Sequence, residues 1–289
     1  MACPYRIERT RRQKTNQKRR LIIDAGGSVY NEDIADWSAD VSSQALNYAT
    51  SPYSIGVSSD GVYLLVHGSL SNIIFTKAMS TPWDLSTLGA VATSTAEPAS
   101  SSVTYGCWFN DDGTKIIIAA ATLISEATLS TPYDVSSRGA YTQTTIGSWQ
   151  GGAAMSYDGL RMYSASVGAG TQTITEYEMT TAYDTTTLAA TGNTLDISDK
   201  ISASGKPEDI VCGSVGTNIF AITDNGEVHQ WTMGTANDLS TATYTGQSPP
   251  FTLTSTFCRA AFDRTNGRYL YISDPTLNDV WAYESDRAN

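Results

Sequence analysis

One short turn sequence returns along the chain at a nearly constant interval, and this repetition limits the possible folds. It appears as S-T-P-W-D-L-S-T (80–87), S-T-P-Y-D-V-S-S (130–137), T-T-A-Y-D-T-T-T (180–187) and G-T-A-N-D-L-S-T (234–241), with aspartates at Asp84, Asp134, Asp184 and Asp238. Ten residues before each aspartate stands a β-branched residue: Ile74, Ile124, Ile174 or Val228. Internal repeats of about 50 residues are typical of propellers and solenoids.

A second repeated feature is a hairpin that precedes each turn sequence. Its five copies are V-S-S-D-G-V-Y-L-L-V (57–66), F-N-D-D-G-T-K-I-I-I (109–118), M-S-Y-D-G-L-R-M-Y-S (155–164), C-G-S-V-G-T-N-I-F-A (212–221) and D-R-T-N-G-R-Y-L-Y-I (263–272). Asp-Gly and Asn-Gly supply the positive φ that tight hairpin turns need. Apolar residues such as Ile55 and Val57 alternate before the turns, and a period of two indicates strands.

The last repeat lacks its turn and fourth strand, and a matching segment stands near the N-terminus. The fifth unit reaches Val280, so its aspartate would fall at position 290, while A-D-V-S-S-Q-A-L-N-Y-A-T (39–50) is similar to residues 133–144. We therefore expect Asp40 to be the fifth turn aspartate. A strand from this segment would complete the C-terminal sheet and remove the exposed edges of a linear array. The sequence predicts an all-β, five-bladed β-propeller over residues 39–289.

Charge is divided unequally along the 289 residues, whose net charge is -11. Residues 1–20 carry eight basic residues against Glu8, a net of 8 - 1 = +7, and the remainder therefore carries -18. The basic residues are Arg6, Arg9, Arg11, Arg12, Lys14, Lys18, Arg19 and Arg20. A block of like charge is typical of an extended interaction tail. We expect residues 1–20 to be an anchoring arm and residues 21–38 a linker.

Targeting signals and metal-binding patterns are not apparent in the sequence. The charged first twenty residues lack the apolar segment of a secretory signal, and no apolar run approaches a membrane span. Cys3, Cys107, Cys212 and Cys258 have no paired short spacing, and His67 and His229 are the two histidines. This pattern predicts no zinc site and no cofactor.

Catalytic carboxylates are scarce on the strands that we expect to line the central channel. Five-bladed glycosidases need two facing carboxylates, but the predicted inner strands 52–58, 103–109, 150–156 and 257–262 contain no Asp or Glu. Glu208 and Asp209 begin the remaining inner strand. Nucleophile-elbow, metalloprotease and P-loop motifs are missing from the sequence. We therefore expect a protein that is not an enzyme.

The D-G hairpin followed by an S-T-P-(W/Y)-D-(L/V)-S-T turn resembles a family of propeller repeats. These repeats occur in structural proteins of tailed and marine bacteriophages and in bacterial surface proteins, and the match is clearest at 79–87 and 129–137. Ala182 and Ala236 replace the proline in later units, and the basic arm is not covered. The resemblance implies a virion or surface-exposed structural protein, often concerned with host attachment. We expect a tail- or capsid-associated protein of a virus particle that is assembled in the host cytoplasm.

Candidate binding residues lie on the loops that do not repeat, because irregular loops on a rigid scaffold carry most binding residues. They are Trp149, Asp196, Asp199, Glu208 and Asp209. The turn aspartates, by contrast, fit a local role, since an Asp followed two residues later by Ser or Thr is typical of an Asx-type turn.

Three partners remain open at this point. The first is a set of other virion proteins bound by the arm, with host glycan or host protein bound by the outward surface. The second is a carbohydrate bound by a lectin-like propeller, although the unequal loop lengths argue against five equal sugar sites. The third is nucleic acid contacted by the arm inside a particle, which the acidic body disfavours.

Overall fold

Strand-forming residues dominate wherever the chain is described. The computed structural model describes residues 22–23, 29–30, 37–46, 52–68, 73–96, 104–147, 151–167, 172–201, 206–248, 259–263 and 269–285. The regular elements within these ranges are β-strands and four one-turn 3-10 helices.

The strands form one small hairpin and five four-stranded antiparallel sheets. Strands β1 (Ile22–Ile23) and β2 (Val29–Tyr30) form the hairpin, and β3 (Trp37–Ala45) follows. Blade 1 contains β4 (Pro52–Val57), β5 (Tyr63–Gly68), β6 (Ile73–Met79) and β7 (Leu88–Ala96). Blade 2 contains β8 (Thr104–Phe109), β9 (Lys115–Ala120), β10 (Leu123–Thr128) and β11 (Thr142–Thr145). Blade 3 contains β12 (Gly151–Met155), β13 (Arg161–Val167), β14 (Gln172–Met179) and β15 (Leu188–Asp196).

Blades 4 and 5 complete the ring. Blade 4 contains β16 (Pro207–Cys212), β17 (Asn218–Thr223), β18 (Val228–Met233) and β19 (Ala242–Gln247). Blade 5 contains β20 (Arg259–Phe262), β21 (Tyr269–Asp274) and β22 (Asp279–Ser285), and its fourth strand is β3. The 3-10 helices, Leu85–Thr87, Val135–Ser137, Thr185–Thr187 and Leu239–Thr241, precede the outer strands of blades 1 to 4.

Pairing between β3 and β22 closes the ring. Val280 lies opposite Gln44, and Ser285 lies opposite Trp37, so the two strands are in contact along their full length. The five-bladed propeller closed by an N-terminal strand is therefore confirmed. Strand β3 begins at Trp37, two residues earlier than the predicted boundary at residue 39.

The assignment of Asp40 as the fifth turn aspartate is wrong. Asp40 lies inside β3, close to the register irregularity between Ala282 and Glu284 of the partner strand. Val280 of blade 5 corresponds to Ile74 of blade 1, and their partners are Gln44 and Thr95. Asp84 precedes Thr95 by 95 - 84 = 11 residues. The position 11 residues before Gln44 is 44 - 11 = 33. The sequence counterpart of Asp84 is therefore Asp33, which lies outside the described residues. The segment A-D-V-S-S (39–43) is similar in sequence to the turn segment Y-D-V-S-S (133–137). Its position in the blade is set by the pairing of β3 with β22, however, and that pairing places Asp40 inside the strand.

The repeated turns owe their sequence to a tight contact between two turns of one blade. Tyr133 adopts a φ of 61°, its main-chain N–H donates to Gly113 O (2.9 Å), and its ring covers that glycine. Gly113 itself has a φ of 69°, and a Cβ there would lie 2.5 Å from the Tyr133 ring. Glycine is therefore required both for its conformation and for lack of space.

The apolar core lies between neighbouring blades. The β-branched residues of the third strands, Ile74, Ile124, Ile174, Val228 and Val280, are all fully buried. One cluster joins Leu64 and Phe75 of blade 1 to Tyr271 and Val280 of blade 5, so the closing interface is packed like the others. Burial of each such side chain stabilises the fold by about 1.5–3 kcal/mol.

Carboxylates add polar contacts across two blade interfaces. Glu126 Oε2 accepts a hydrogen bond from Thr185 N, and Glu176 Oε2 accepts one from Leu239 N, both at 2.7 Å. Each glutamate lies two residues after its buried β-branched residue, and each donor opens a 3-10 helix of the following blade. The repeated turn is therefore also a docking point between blades 2 and 3 and between blades 3 and 4.

The ring has two unlike faces. The turn face holds the hairpins between first and second strands and the turns between third and fourth strands. The loop face, at the other end of the strands, holds the connections between second and third strands and the crossings between blades. Because β3 runs from the turn face to the loop face, the chain enters the propeller at Trp37 on the turn face.

Replacement of Gly113 by Ala should destabilise the propeller, because alanine is strained at positive φ and its Cβ would overlap the Tyr133 ring. We expect the free energy of unfolding to fall by about 2 kcal/mol or more, measured by urea denaturation. The matched control is Gly147→Ala, where a Cβ meets nothing within 4 Å. Equal stability of the two variants would contradict this explanation of the repeated glycine.

Candidate functional site

The inner strands differ from one another most at the loop-face end of the central channel. The third residue before the end of each inner strand is Ser54, Gly106, Gly152, Asp209 or Arg259. Three blades therefore place a small residue at this level, while blades 4 and 5 place opposite charges there. Ser54, Asp209 and Arg259 are all at most 3% exposed, so these charges are buried.

Arg259 joins three blades at this level. Its Nη1 donates to the main-chain oxygen of Glu208 and lies 3.3 Å from Glu208 Oε2. The guanidinium carbon lies 5.7 Å from the centre of the Tyr105 ring. Tyr105 belongs to blade 2, so Arg259 of blade 5 extends across the channel as well as to its neighbour, blade 4.

Asp209 bonds to the backbone of two inner strands. Its Oδ2 accepts a hydrogen bond from Ala260 N of β20 at 2.7 Å, and its Oδ1 accepts one from Ile210 N of β16 at 2.9 Å. On its other side, a Cβ at Gly152 would lie 2.3 Å from Asp209 Cα. The glycine of β12 thus allows blades 3 and 4 to approach closely beside this carboxyl.

Burial dominates the electrostatics of this cluster. Desolvation raises the pKa of Asp209 to about 7, although Arg259 and the two N–H donors act in the opposite direction. Desolvation also raises the pKa of Glu208, again opposed by Arg259. The pKa of the Tyr105 hydroxyl is raised by burial. Burial therefore deprives the carboxyl groups of Glu208 and Asp209 of their hydration. The positive charge of Arg259 compensates for part of this loss at both groups.

The channel below the cluster is apolar. It is lined by residues that include Val57, Trp108, Met155, Val211 and Phe262, one from each blade. Both carboxyls of the cluster come from adjacent residues of β16 rather than from strands that face each other across the channel. A pair of opposed carboxylates, as a glycosidase needs, is therefore not formed by Glu208 and Asp209.

The other predicted loop residues do not join this cluster. Asp196 ends β15 and accepts a hydrogen bond from Ser198 N at 2.9 Å, and hydrogen bonds from Ser198 hold the pKa of Asp196 below its usual value. Asp199 pairs with Lys200 at 2.7 Å. Trp149 and the arm residues 1–20 lie outside the described residues.

Four of the predicted turn aspartates have a local structural role. In each, Oδ1 accepts hydrogen bonds from the main-chain N–H and the hydroxyl of the residue two positions later. The main-chain N···O distances are 3.0, 2.9, 3.1 and 3.1 Å for Asp84, Asp134, Asp184 and Asp238. Each caps the N-terminus of a 3-10 helix.

Arg259 and Tyr105 were not among the predicted site residues, because the prediction for the inner strands rested on acidic residues and not on basic ones. The available signal was a single Arg in the apolar segment F-C-R-A-A-F, at the level of Asp209 in the preceding inner strand. Within the described ranges, no group of three or more His, Cys, Asp or Glu is arranged to hold a metal ion. In the same ranges, no helix is long and apolar enough to cross a membrane.

No protein-family model matches the chain, and no curated protein matches it. Among solved structures, Kuenenia stuttgartiensis hydrazine synthase is similar, with a TM-score of 0.47 and 12% sequence identity. The match covers 81% of this chain and 84% of that chain. A likeness of this size says nothing of activity.

Replacement of Arg259 by Met should leave Glu208 and Asp209 buried without their shared cation. We expect the free energy of unfolding to fall by about 3 kcal/mol at pH 8, measured by urea denaturation. The loss should shrink between pH 8 and pH 5, because protonation then removes the uncompensated buried charge.

The matched control is Lys200→Met, which removes an exposed ion pair with Asp199 and should leave the free energy of unfolding nearly unchanged. If the two variants lost equal stability, or if the Arg259→Met loss were independent of pH, Arg259 would not compensate buried carboxylates.

Proposed function

We propose that this protein is a non-enzymatic structural protein of a virus particle. Its basic arm docks to other virion proteins, and its propeller is displayed outward for host attachment. The observation that carries the proposal is the place where the chain enters the propeller. Trp37 begins β3 on the turn face, so a particle that holds the arm would meet the turn face and leave the loop face exposed.

The distribution of charge on the turn face supports a protein partner for the arm. Eight turns of blades 1 to 4 lie on this face: 58–62, 80–87, 110–114, 130–137, 156–160, 180–187, 213–217 and 234–241. Together they contain no Lys, Arg or Glu but eight aspartates, Asp60, Asp84, Asp111, Asp112, Asp134, Asp158, Asp184 and Asp238, against which Lys115, Arg138 and Arg161 stand directly after three of the turns. A nucleic-acid backbone that approached the arm would meet this acidic face and be repelled. We therefore favour docking of the arm to protein.

The loop face suits recognition because its connections vary on a rigid ring. The second-to-third-strand connection spans two residues, 121–122, in blade 2 but four residues, 224–227, in blade 4. The inner-strand residues at the same end also differ from blade to blade. A single irregular surface fits one host protein or glycan better than five equal sugar sites, which disfavours the lectin-like alternative.

The experiment replaces the eight basic residues of the arm by Gln, which keeps the length of the chain and removes its charge. We expect this variant to be lost from purified particles while its circular dichroism and melting temperature stay unchanged, because the described apolar clusters are formed by residues from Leu46 onward. The measurement is the amount of protein per particle, by quantitative mass spectrometry.

The matched control replaces Asp196, Asp199 and Asp224 on the loop face by Asn. This control should assemble normally and bind host cells less well. Normal incorporation of the Gln variant would contradict docking through the arm. Particles that contain none of the wild-type protein would contradict a virion role, and steep loss of DNA affinity with salt would favour the genome-contact alternative.

A further inference from the structure

Two hydrogen bonds tie the Asp209 carboxyl to the two inner strands that meet at the channel mouth. One carboxylate oxygen accepts from Ala260 N of blade 5, and the other accepts from Ile210 N of blade 4. Since the side chain is 3% exposed, water cannot readily replace either donor. The bond from Ala260 N crosses between blades 4 and 5, beside the contacts of Arg259 with Glu208, while the bond from Ile210 N lies within β16 and orients the carboxyl.

Protonation weakens this pattern of acceptors, because hydrogen bonds to a charged carboxylate are stronger than those to a neutral carboxyl group. A carboxylate only accepts hydrogen bonds, whereas a neutral carboxyl group has one O–H that donates. An N–H group faces each oxygen of Asp209, so whichever oxygen takes the proton becomes a weaker acceptor for the N–H group that faces it. Gly152 of β12 packs against the Asp209 backbone and limits movement toward blade 3. A protonated Asp209 must therefore weaken one of its two N–H contacts.

We propose that Asp209 is a proton-operated latch that holds the inner strands of blades 4 and 5 together when charged and releases the Ala260 N–H when neutral. The inference is independent of the virion role. The conformational change lies at the mouth of the channel. It would be detected as local opening of β20, the strand that carries Arg259 and Ala260.

The groups that face Asp209 place the transition near neutral pH. Arg259 of β20 favours the charged form, as do the N–H groups of Ala260 and Ile210, whereas burial and Glu208 of β16 favour the neutral form. Tyr105 of β8 lies beneath Arg259, and Lys206 and Asp224 act on Glu208 with opposite signs. Strand β12 contributes Gly151 and Gly152, which carry no charge. The balance raises the pKa of Asp209 to about 7.

Local and global stability should respond to pH in opposite directions. A carboxyl whose pKa is higher in the folded than in the unfolded protein binds more protons when folded between about pH 4 and pH 7. Its contribution to the free energy of unfolding therefore rises as the pH falls through this range. The Ala260 N–H, however, loses its charged acceptor over the same range. A buried carboxyl with no main-chain donor from the neighbouring blade would show the rise in global stability without the loss of local protection.

The experiment is amide hydrogen exchange of the full chain between pH 8 and pH 5, corrected for intrinsic exchange rates. We expect protection of the Ala260 amide to fall by about tenfold or more on acidification, the range for loss of a hydrogen bond to a charged group. Over the same range, urea denaturation should show a higher free energy of unfolding. The carboxyl ¹³C shift of Asp209 should titrate with the same midpoint.

Two variants separate the latch from general effects of pH. Asp209→Asn should show weak Ala260 protection that does not change with pH. Glu208→Gln should keep the transition but move its midpoint to lower pH, because an adjacent negative charge is removed. If Asp209→Asn does not fold, the wild-type exchange and ¹³C titrations still decide. Ala260 protection that is constant from pH 8 to pH 5 would overturn the proposal, as would an Asp209 shift that does not titrate in that range.

Discussion

Antiparallel pairing of β3 with β22 is the interaction on which the rest of the structure depends. These strands are separated by most of the sequence, and their contact converts five sheets into a closed ring. Without β3, blade 5 would keep three strands and expose the edge of β22 to solvent, where unpaired backbone groups favour association with other chains. The apolar cluster shared by blades 5 and 1 fixes the same junction from inside. Closure therefore rests on both backbone pairing and burial.

Ring closure also gives the molecule its polarity. Because the closing strand runs from the turn face to the loop face, the chain that precedes it enters on the acidic turn face. The aspartates of the repeated turns lie on the turn face. The irregular connections lie on the loop face, at the other end of the strands. In the proposed virion role, the turn face attaches to the particle and the loop face recognises the host.

Much of the fold could be predicted from sequence because its signals are local. Positive φ at D-G turns, Asx bonds at residues such as Asp134, and β-branched residues at one position each depend on a few neighbouring residues. Asp40 was assigned to a turn because its neighbours resemble the repeated turn sequence. It lies inside β3, whose register is set by pairing with a strand distant in sequence that contains Val280. Arg259 was overlooked because its contact with Glu208 joins positions 51 residues apart, and no local pattern reports such a pair. The binding partner has no local signal at all.

The most direct test of the account is a disulfide trap between the closing strands. Ala45 lies directly opposite Asp279, and opposed residues of antiparallel strands lie within the distance that a disulfide spans. A protein with Ala45→Cys and Asp279→Cys should form this bridge under mild oxidation, mapped by mass spectrometry, and keep its native circular dichroism. A second protein with Ala45→Cys and Asp224→Cys, which places the partner in blade 4, should not form a bridge. Failure of the first pair to form its bridge in the folded protein, or bridging of the second pair, would contradict ring closure by the N-terminal strand.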